Sequence, residues 1–283
     1  MFTQAKNGAI INEGEEYLKK VDEAYKYFLE TCIIRYLGWL YDPSKGNLFW
    51  ADVEDCLEFG KTVELEFDFG RTAFMSVDTQ RDSCRKDGYI DTMEYDLLQT
   101  LCAVDPITNI LETVRDTDID FVHTREGHDP QFTDAPFNKL LRSKMADGGH
   151  CVGETPHSGI SPLLIRGHEN LDIINELTPE PDELVIGKPP KGAFGNTNIE
   201  MLLEHLGSNH IVISSTSTDV YVHIIMREAN NREYWCMLLK DTTGATDPEY
   251  YDAAIKQIKI QGGVFGWVSD SGQFIEAVER DVA

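Results

Sequence analysis

Along the first part of the chain, apolar side chains recur at steps of three and four: Tyr17, Leu18, Val21, Tyr25, Phe28, Cys32, Ile33, Tyr36, Leu37 and Leu40. That spacing predicts one face of a helix of about seven turns. Asp42-Pro43 ends it, because the residue before a proline is pushed out of the helical region. Such a stripe packs on its own domain or a sister subunit, or it recruits a partner. Residues 1–62 therefore read as an N-terminal helical extension to a domain spanning 63–283.

From residue 63 the period changes. Thr72 to Asp78 is a short apolar run ending in an acid, and residues 91–115 contain a helical stretch. Ile119 to His123 reads as a second strand, followed by a long polar loop over residues 124–182 with many Gly, Pro and His. Leu184 to Gly187 is a third strand. Thr197-Asn198-Ile199-Glu200 fits a capping box, opening a helix that runs from Ile199 to Leu206 and stops at Gly207. His210 to Ser214 is a fourth strand, Asp219 to Arg232 a helix, Tyr234 to Leu239 a fifth strand, and Glu249 to Ile260 a further helix. This alternation implies an α/β fold, a mostly parallel sheet with helices on both faces. In such sheets ligands bind at the carboxyl ends of the strands, so the residues just after the first, third and fourth strands matter most.

Charge narrows the partners. The chain has 49 acidic and 25 basic residues, a formal net charge of −24. An acidic surface is repelled by phosphate backbones and anionic lipid, which argues against nucleic-acid and membrane partners and leaves a small-molecule substrate. No apolar run approaches the ~20 residues of a membrane span, and the amino terminus lacks the basic-then-apolar pattern of a secretory signal. The six cysteines are scattered with no CxxC pair. They read as reduced thiols in a cytoplasmic protein.

Three strand ends carry suggestive groups. Asp78 ends the first strand, Lys188 follows the third, and Ser214-Ser215-Thr216-Ser217-Thr218-Asp219-Val220-Tyr221 makes a hydroxyl-rich turn into a helix after the fourth. An acid and an amine at one rim shift each other's pKa and can hold a transferable proton. A turn into a helix offers free backbone amides to an oxyanion. From spacing alone, a cap or a surface charge competes with this reading of Asp78.

Several ordered motifs carry a resemblance. Arg71-Thr-Ala-Phe-Met-Ser-Val-Asp78-Thr-Gln80-Arg-Asp82, Lys188-Pro-Pro-Lys-Gly-Ala-Phe194 and Ser217-Thr-Asp-Val-Tyr221-Val-His223 resemble the three signature segments of the isochorismatase-like cysteine hydrolases. His123-Thr-Arg-Glu-Gly-His128 and Gln261-Gly-Gly-Val-Phe-Gly-Trp267 point to the biuret- and ureidoacrylate-hydrolase branch. The resemblance covers residues 63–268 and implies a three-layer α/β/α fold with an Asp-Lys-Cys triad. Asp78 matches the proton shuttle and Lys188 the lysine that orients it. The backbone amides of Ser217 and Tyr221 match the oxyanion hole, with a cis peptide expected between Thr216 and Ser217. Gln80, Thr216, Phe194 and Trp267 fall around the substrate; Phe194 and Trp267 line the pocket or a subunit contact, and core packing is the competing reading. Relatives form dimers or tetramers, so a homodimer or homotetramer is expected.

One departure changes the chemistry. Tyr221 stands where the family has its nucleophilic cysteine, and a phenol of pKa ~10 is a poor acyl acceptor. The expected reaction is therefore hydrolysis of a small polar or conjugated molecule by the Asp78/Lys188 pair without a thiol. The resemblance supplies a precedent, superfamily members that also lack the cysteine, protonate a vinyl ether with the Asp and let water finish; Tyr221 then acts as an acid or as a hydrogen-bond donor to a developing anion. Lyase or isomerase chemistry remains open. The alternative is an inactive homologue, a scaffold or small-molecule binding protein. Cys84 is a passive thiol or a substitute nucleophile, Cys236 is core, and His223 makes a structural hydrogen bond rather than a catalytic one. His123, His128, His150, His157 and His168 show no metal motif, so no metal and no cofactor is expected.

Overall fold

A computed structural model describes residues 47–51, 63–145, 150–156, 159 and 161–282. The helix expected over residues 17–40 lies outside them. Two strands, β1 (Asn47–Ala51) and β2 (Val63–Phe67), pair antiparallel with Asn47 opposite Phe67. β1 falls inside the stretch expected to be helical.

The main sheet has six parallel strands: β3 (Thr72–Val77), β4 (Asp120–Glu126), β5 (Leu184–Lys188), β6 (His210–Ser215), β7 (Trp235–Thr243) and β8 (Trp267–Ser269). Their order is β5-β4-β3-β6-β7-β8, with β3 and β6 side by side at the centre. Every residue of β3 and β6 is buried. Strands covered on both faces read as near-continuous apolar runs; here Ala73–Met75 and Ile211–Ile213 mark the two positions in the sequence.

Alternate residues of each strand face opposite layers. Phe74 and Phe121, with ring centroids 5.0 Å apart, pack beneath α1 (Val104–Val114) and the carboxyl-terminal Ser271–Val282 helix through Ile107, Ile110, Leu111, Phe274 and Val278. On the other face Met75, Val77, Ile211 and Ile213 meet the helices Ile199–Leu206, His223–Asn230 and Pro248–Gly263 through Leu203, Ile225, Met226 and Ile258. Numbered along the chain, with Phe137–Met145 as α2, these are α3, α4 and α5, and the last helix is α6. Three layers result, as expected.

Two local readings are corrected. The capping box does not form, because the N-cap of α3 is Asn198, one residue later than Thr197. Thr197 Oγ1 instead accepts from the Ile199 amide at 3.2 Å, and Glu200 pairs with Arg232 at 3.1 Å. The helix expected from Asp219 begins as a π-helical turn, Thr218–Val222, in which the Val222 amide reaches the Ser217 carbonyl at 3.2 Å; α4 follows. Such wide turns are frequent at functional sites. Gly207 does end α3, in the left-handed conformation (φ 75) that glycine adopts freely.

Candidate active site

β3 delivers Asp78 to the carboxyl rim of the sheet. Its backbone turns left-handed there (φ 55), while its amide donates to the Thr124 carbonyl at 3.1 Å. A non-glycine residue in this region costs ~1–3 kcal/mol and persists where its surroundings hold it. Asp78 Oδ2 lies 2.6 Å from Lys188 Nζ, with both side chains fully buried. Its Oδ1 accepts from Thr124 Oγ1 at 2.7 Å. Lys188, the last residue of β5, also donates to the carbonyls of Pro190 (3.2 Å) and Lys191 (3.0 Å). Its ammonium sits 4.6 Å from the centroid of the Tyr221 ring, and that of Lys191 sits 5.3 Å away. The acid, the amine and the phenol therefore meet at one rim.

The sequence reading missed a second ion pair at the same rim. Register places Glu126 of β4 beside Lys188 of β5. Glu126 pairs with Lys139 of α2, and both are buried. Lys139 also reaches the Pro189 carbonyl at 3.4 Å. Gln80 fixes the backbone of Glu126 from both sides, Nε2 to the carbonyl at 3.0 Å and Oε1 from the amide at 2.7 Å. Glu126 lies in the His123–His128 motif and was legible as a candidate. Lys139 was not, because α2 sits inside what reads as a polar loop.

Burial raises the Asp78 carboxyl above its ordinary value; Lys188 opposes this and the Glu126 charge reinforces it. Burial acts on Glu126 in the same direction but is outweighed by Lys139, Lys191 and Lys188, which bring it down to about 2. Burial also lowers Lys139, against the pull of Glu126. The Tyr221 phenol is held well above its ordinary value, by burial first and then by the charges of Glu126 and Asp78.

The remaining expected residues divide. Thr216 is buried and donates through Oγ1 to the Asp78 carbonyl at 3.3 Å. The Ser217 amide donates to Ser215 Oγ at 3.2 Å, and its own hydroxyl oxygen accepts from the Val220 amide at 3.2 Å, capping the π turn. The peptide bond between Thr216 and Ser217 is trans, which corrects the expected cis bond; the Ser217 amide finds its acceptor locally without that ~3 kcal/mol cost. Phe194 is buried in the same cluster as Tyr221, with its ring 5.7 Å from that of Tyr234. Trp267 stacks on Trp235 at 5.3 Å at the far edge of the sheet, two strands beyond β6.

His223 Nε2 lies 2.9 Å from the Ala254 carbonyl, a structural bond as expected. Cys84 and Cys236 are buried, and burial pushes each thiol up to about 12, so neither supplies a thiolate near neutrality. Among the described residues no three His, Cys, Asp or Glu side chains form a group able to hold a metal ion.

Asp82, just beyond the Asp78 segment, is buried, and burial pushes its carboxyl up to about 7 despite a 2.8 Å bond from the Leu164 amide. The native state thus binds this proton more tightly than the unfolded chain, whose value is 3.8. The contribution is complete below that value and is lost as pH rises through about 7. At about 1.4 kcal/mol per unit it amounts to at most ~4 kcal/mol. Unfolding free energies of wild type and Asp82→Asn, measured across this range, should show wild type losing ground steadily; a constant difference would refute the assignment.

The isochorismatase domain model matches residues 72–273. Ureidoacrylate amidohydrolase RutB of Pantoea ananatis is 29% identical over 216 residues, covering 74% of this chain and 82% of that protein. The Serratia proteamaculans counterpart is 28% identical over 204 residues, covering 72% and 81%. Among solved structures, a cysteine hydrolase from Pseudomonas syringae superposes with a TM-score of 0.62 at 21% identity, covering 76% of this chain and 95% of that one. N-carbamoylsarcosine amidase from Thermoplasma acidophilum superposes at 0.51 and 20% identity, covering 71% and 96%; these two likenesses bear on the fold alone. Fold and sequence relatives together define the class, a hydrolase acting on a small molecule. Within it, the chain belongs to the isochorismatase family.

Proposed function

We propose that the protein hydrolyses a small carboxylate-bearing molecule without a covalent enzyme intermediate, with Asp78 as proton carrier, Lys188 as its partner and Tyr221 as a neutral hydrogen-bond donor. The observation that carries this reading is the fully buried Asp78–Lys188 contact of 2.6 Å with the Tyr221 ring beside it. In this reading Tyr221 occupies the place of the relatives' nucleophilic cysteine. A phenol held protonated donates a hydrogen bond but does not attack a carbonyl. Asp78 gives its proton to the substrate as the scissile bond polarises, water adds to the electrophilic carbon, and the proton released by that water returns to Asp78. Lys188 stabilises Asp78 while it is ionised. Ser217 would have to release its bond to Ser215 to serve an oxyanion, so the donor role falls on the Tyr221 hydroxyl and amide.

Charge supports the substrate class. Three ammonium groups, Lys139, Lys188 and Lys191, face two carboxylates, Asp78 and Glu126. The relatives named for ureidoacrylate fit such a site. The same reading takes the protein as cytoplasmic, on its scattered cysteines, and as a homodimer or homotetramer, on the family resemblance. No helix of the described residues is long and apolar enough to cross a membrane.

The test is turnover of ureidoacrylate, N-carbamoylsarcosine and isochorismate by the purified full chain, before and after iodoacetamide. At least one should be hydrolysed, at a rate that alkylation leaves unchanged. Loss of activity on alkylation, prevented by bound substrate, would sink the thiol-free mechanism. Tyr221, only 6% exposed and lying against Lys188 and Lys191, also favours a second reading in which it closes the site of a binding protein. Calorimetric binding without turnover would select that one.

A further inference from the structure

The Glu126–Lys139 pair has no part in the mechanism above, yet it is built into the same rim with unusual care. Glu126 sits in register with Lys188 on the adjacent strand. On β4 it lies two residues from Thr124, so both side chains face the side on which Thr124 Oγ1 bonds Asp78. Gln80 clamps its main chain in both directions, only two residues after Asp78. Lys139 comes from a separate helix to meet it and takes the Pro189 carbonyl beside Lys188 as a second acceptor. Two carboxylates and two buried amines are thereby fixed by main-chain bonds on three sides.

A buried ion pair is weak evidence for stability, since apolar residues of similar volume commonly do as well. Two carboxylates whose surroundings push them apart are, in contrast, the mark of divided acid–base roles. We propose that Glu126, locked by Lys139, is a positioning residue: a permanent second anion whose charge keeps the transferable proton on Asp78 and keeps Tyr221 a neutral phenol. This rests on the reading of Asp78 as proton carrier. Glu126 touches no substrate in this role and acts through its two neighbours. Asp78 is faced by Thr124 and Glu126 from β4, by Lys188 from β5, by Thr216 after β6 and by Tyr221 from the π turn. Lys191 and Lys139 stand behind the Tyr221 ring and Glu126 respectively. Of these, Glu126 is the negative charge common to Asp78 and Tyr221, adding at both to the effect of burial, which is the first cause.

The experiment is carboxyl-carbon NMR titration of the full chain, with Asp78 assigned by the signal lost in Asp78→Asn. In Glu126→Gln, which keeps size and the Gln80 contacts, the Asp78 midpoint should fall by roughly one pH unit, a tenfold loss of proton affinity. In Glu126→Asp, which keeps the charge, it should stay near wild type. In Lys139→Met the Glu126 midpoint should climb from about 2 by roughly one unit or more. An unmoved Asp78 midpoint in Glu126→Gln, or an unmoved Glu126 midpoint in Lys139→Met, overturns the proposal. If Glu126→Gln does not fold, the Asp78 midpoint in Lys139→Met decides alone: the Glu126 anion, stripped of its counter-charge, should raise it, and an unmoved Asp78 midpoint overturns the proposal. Where a substrate is turned over, the acid limb of kcat/KM should move with Asp78. The titration needs no substrate, so shifted midpoints without turnover refute only the proposed reaction, and turnover with unshifted midpoints refutes only this inference.

Discussion

Asp78→Asn should abolish hydrolysis of whichever compound the protein turns over, by roughly a thousandfold in kcat. The substituted amide keeps the volume of the carboxyl, and its oxygen still accepts from Thr124 or Lys188. What it loses is the transferable proton and the charge opposite Lys188. KM should change little, because no uniform binding contact has been removed. Steady-state kinetics on a folded variant checks this. A variant retaining more than about a tenth of wild-type kcat would show that Asp78 is only a structural partner of Lys188.

Lys188→Met should have the largest effect on stability, a loss of about 3–5 kcal/mol. The lysine is fully buried, and so is its partner. Removing the amine leaves an ionisable carboxyl in the interior with only the Thr124 hydroxyl and backbone for company, and leaves the Pro190 and Lys191 carbonyls without their donor. The double variant Asp78→Asn, Lys188→Met should recover much of the loss, since no uncompensated charge remains. Denaturant unfolding of both singles and the double measures the coupling. If the double is as unstable as the sum of the singles, the pair does not act as an ion pair in the folded protein.

The parts of this molecule that were legible in its sequence are those where burial and chemistry leave a local signature. Strands covered on both sides, such as Thr72–Val77 and His210–Ser215, carry apolar stretches, Ala73–Met75 and Ile211–Ile213, that stand out in the sequence. Asp78 follows β3 and Lys188 ends the edge strand β5, and the parallel topology brings both to one rim. The three-residue β8 is too short to show a period, and the helix after it was missed with it. Lys139 was invisible for a different reason. Its helix presents Phe137 and Met145 to solvent and buries the lysine, the reverse of the usual pattern. Its importance comes from what it meets across the fold, 13 residues away in sequence at Glu126. The π turn was hidden too: apolar spacing around Val220 and Val222 looks like ordinary helix, and the difference lies in the Val222 amide, which bonds the Ser217 carbonyl five residues back.

The left-handed twist of the chain at residue 78 limits which side chains this position can carry. Aspartate and asparagine visit that region more readily than most residues with a Cβ, because their short polar side chains can bond locally, and glycine adopts it freely. Alanine or valine there would add torsional strain to any lost chemistry, so a knockout made with either would confuse a folding defect with a catalytic one. A lineage drifting away from activity should accordingly slide first toward asparagine or glycine at this site, with the surrounding strand geometry left undisturbed.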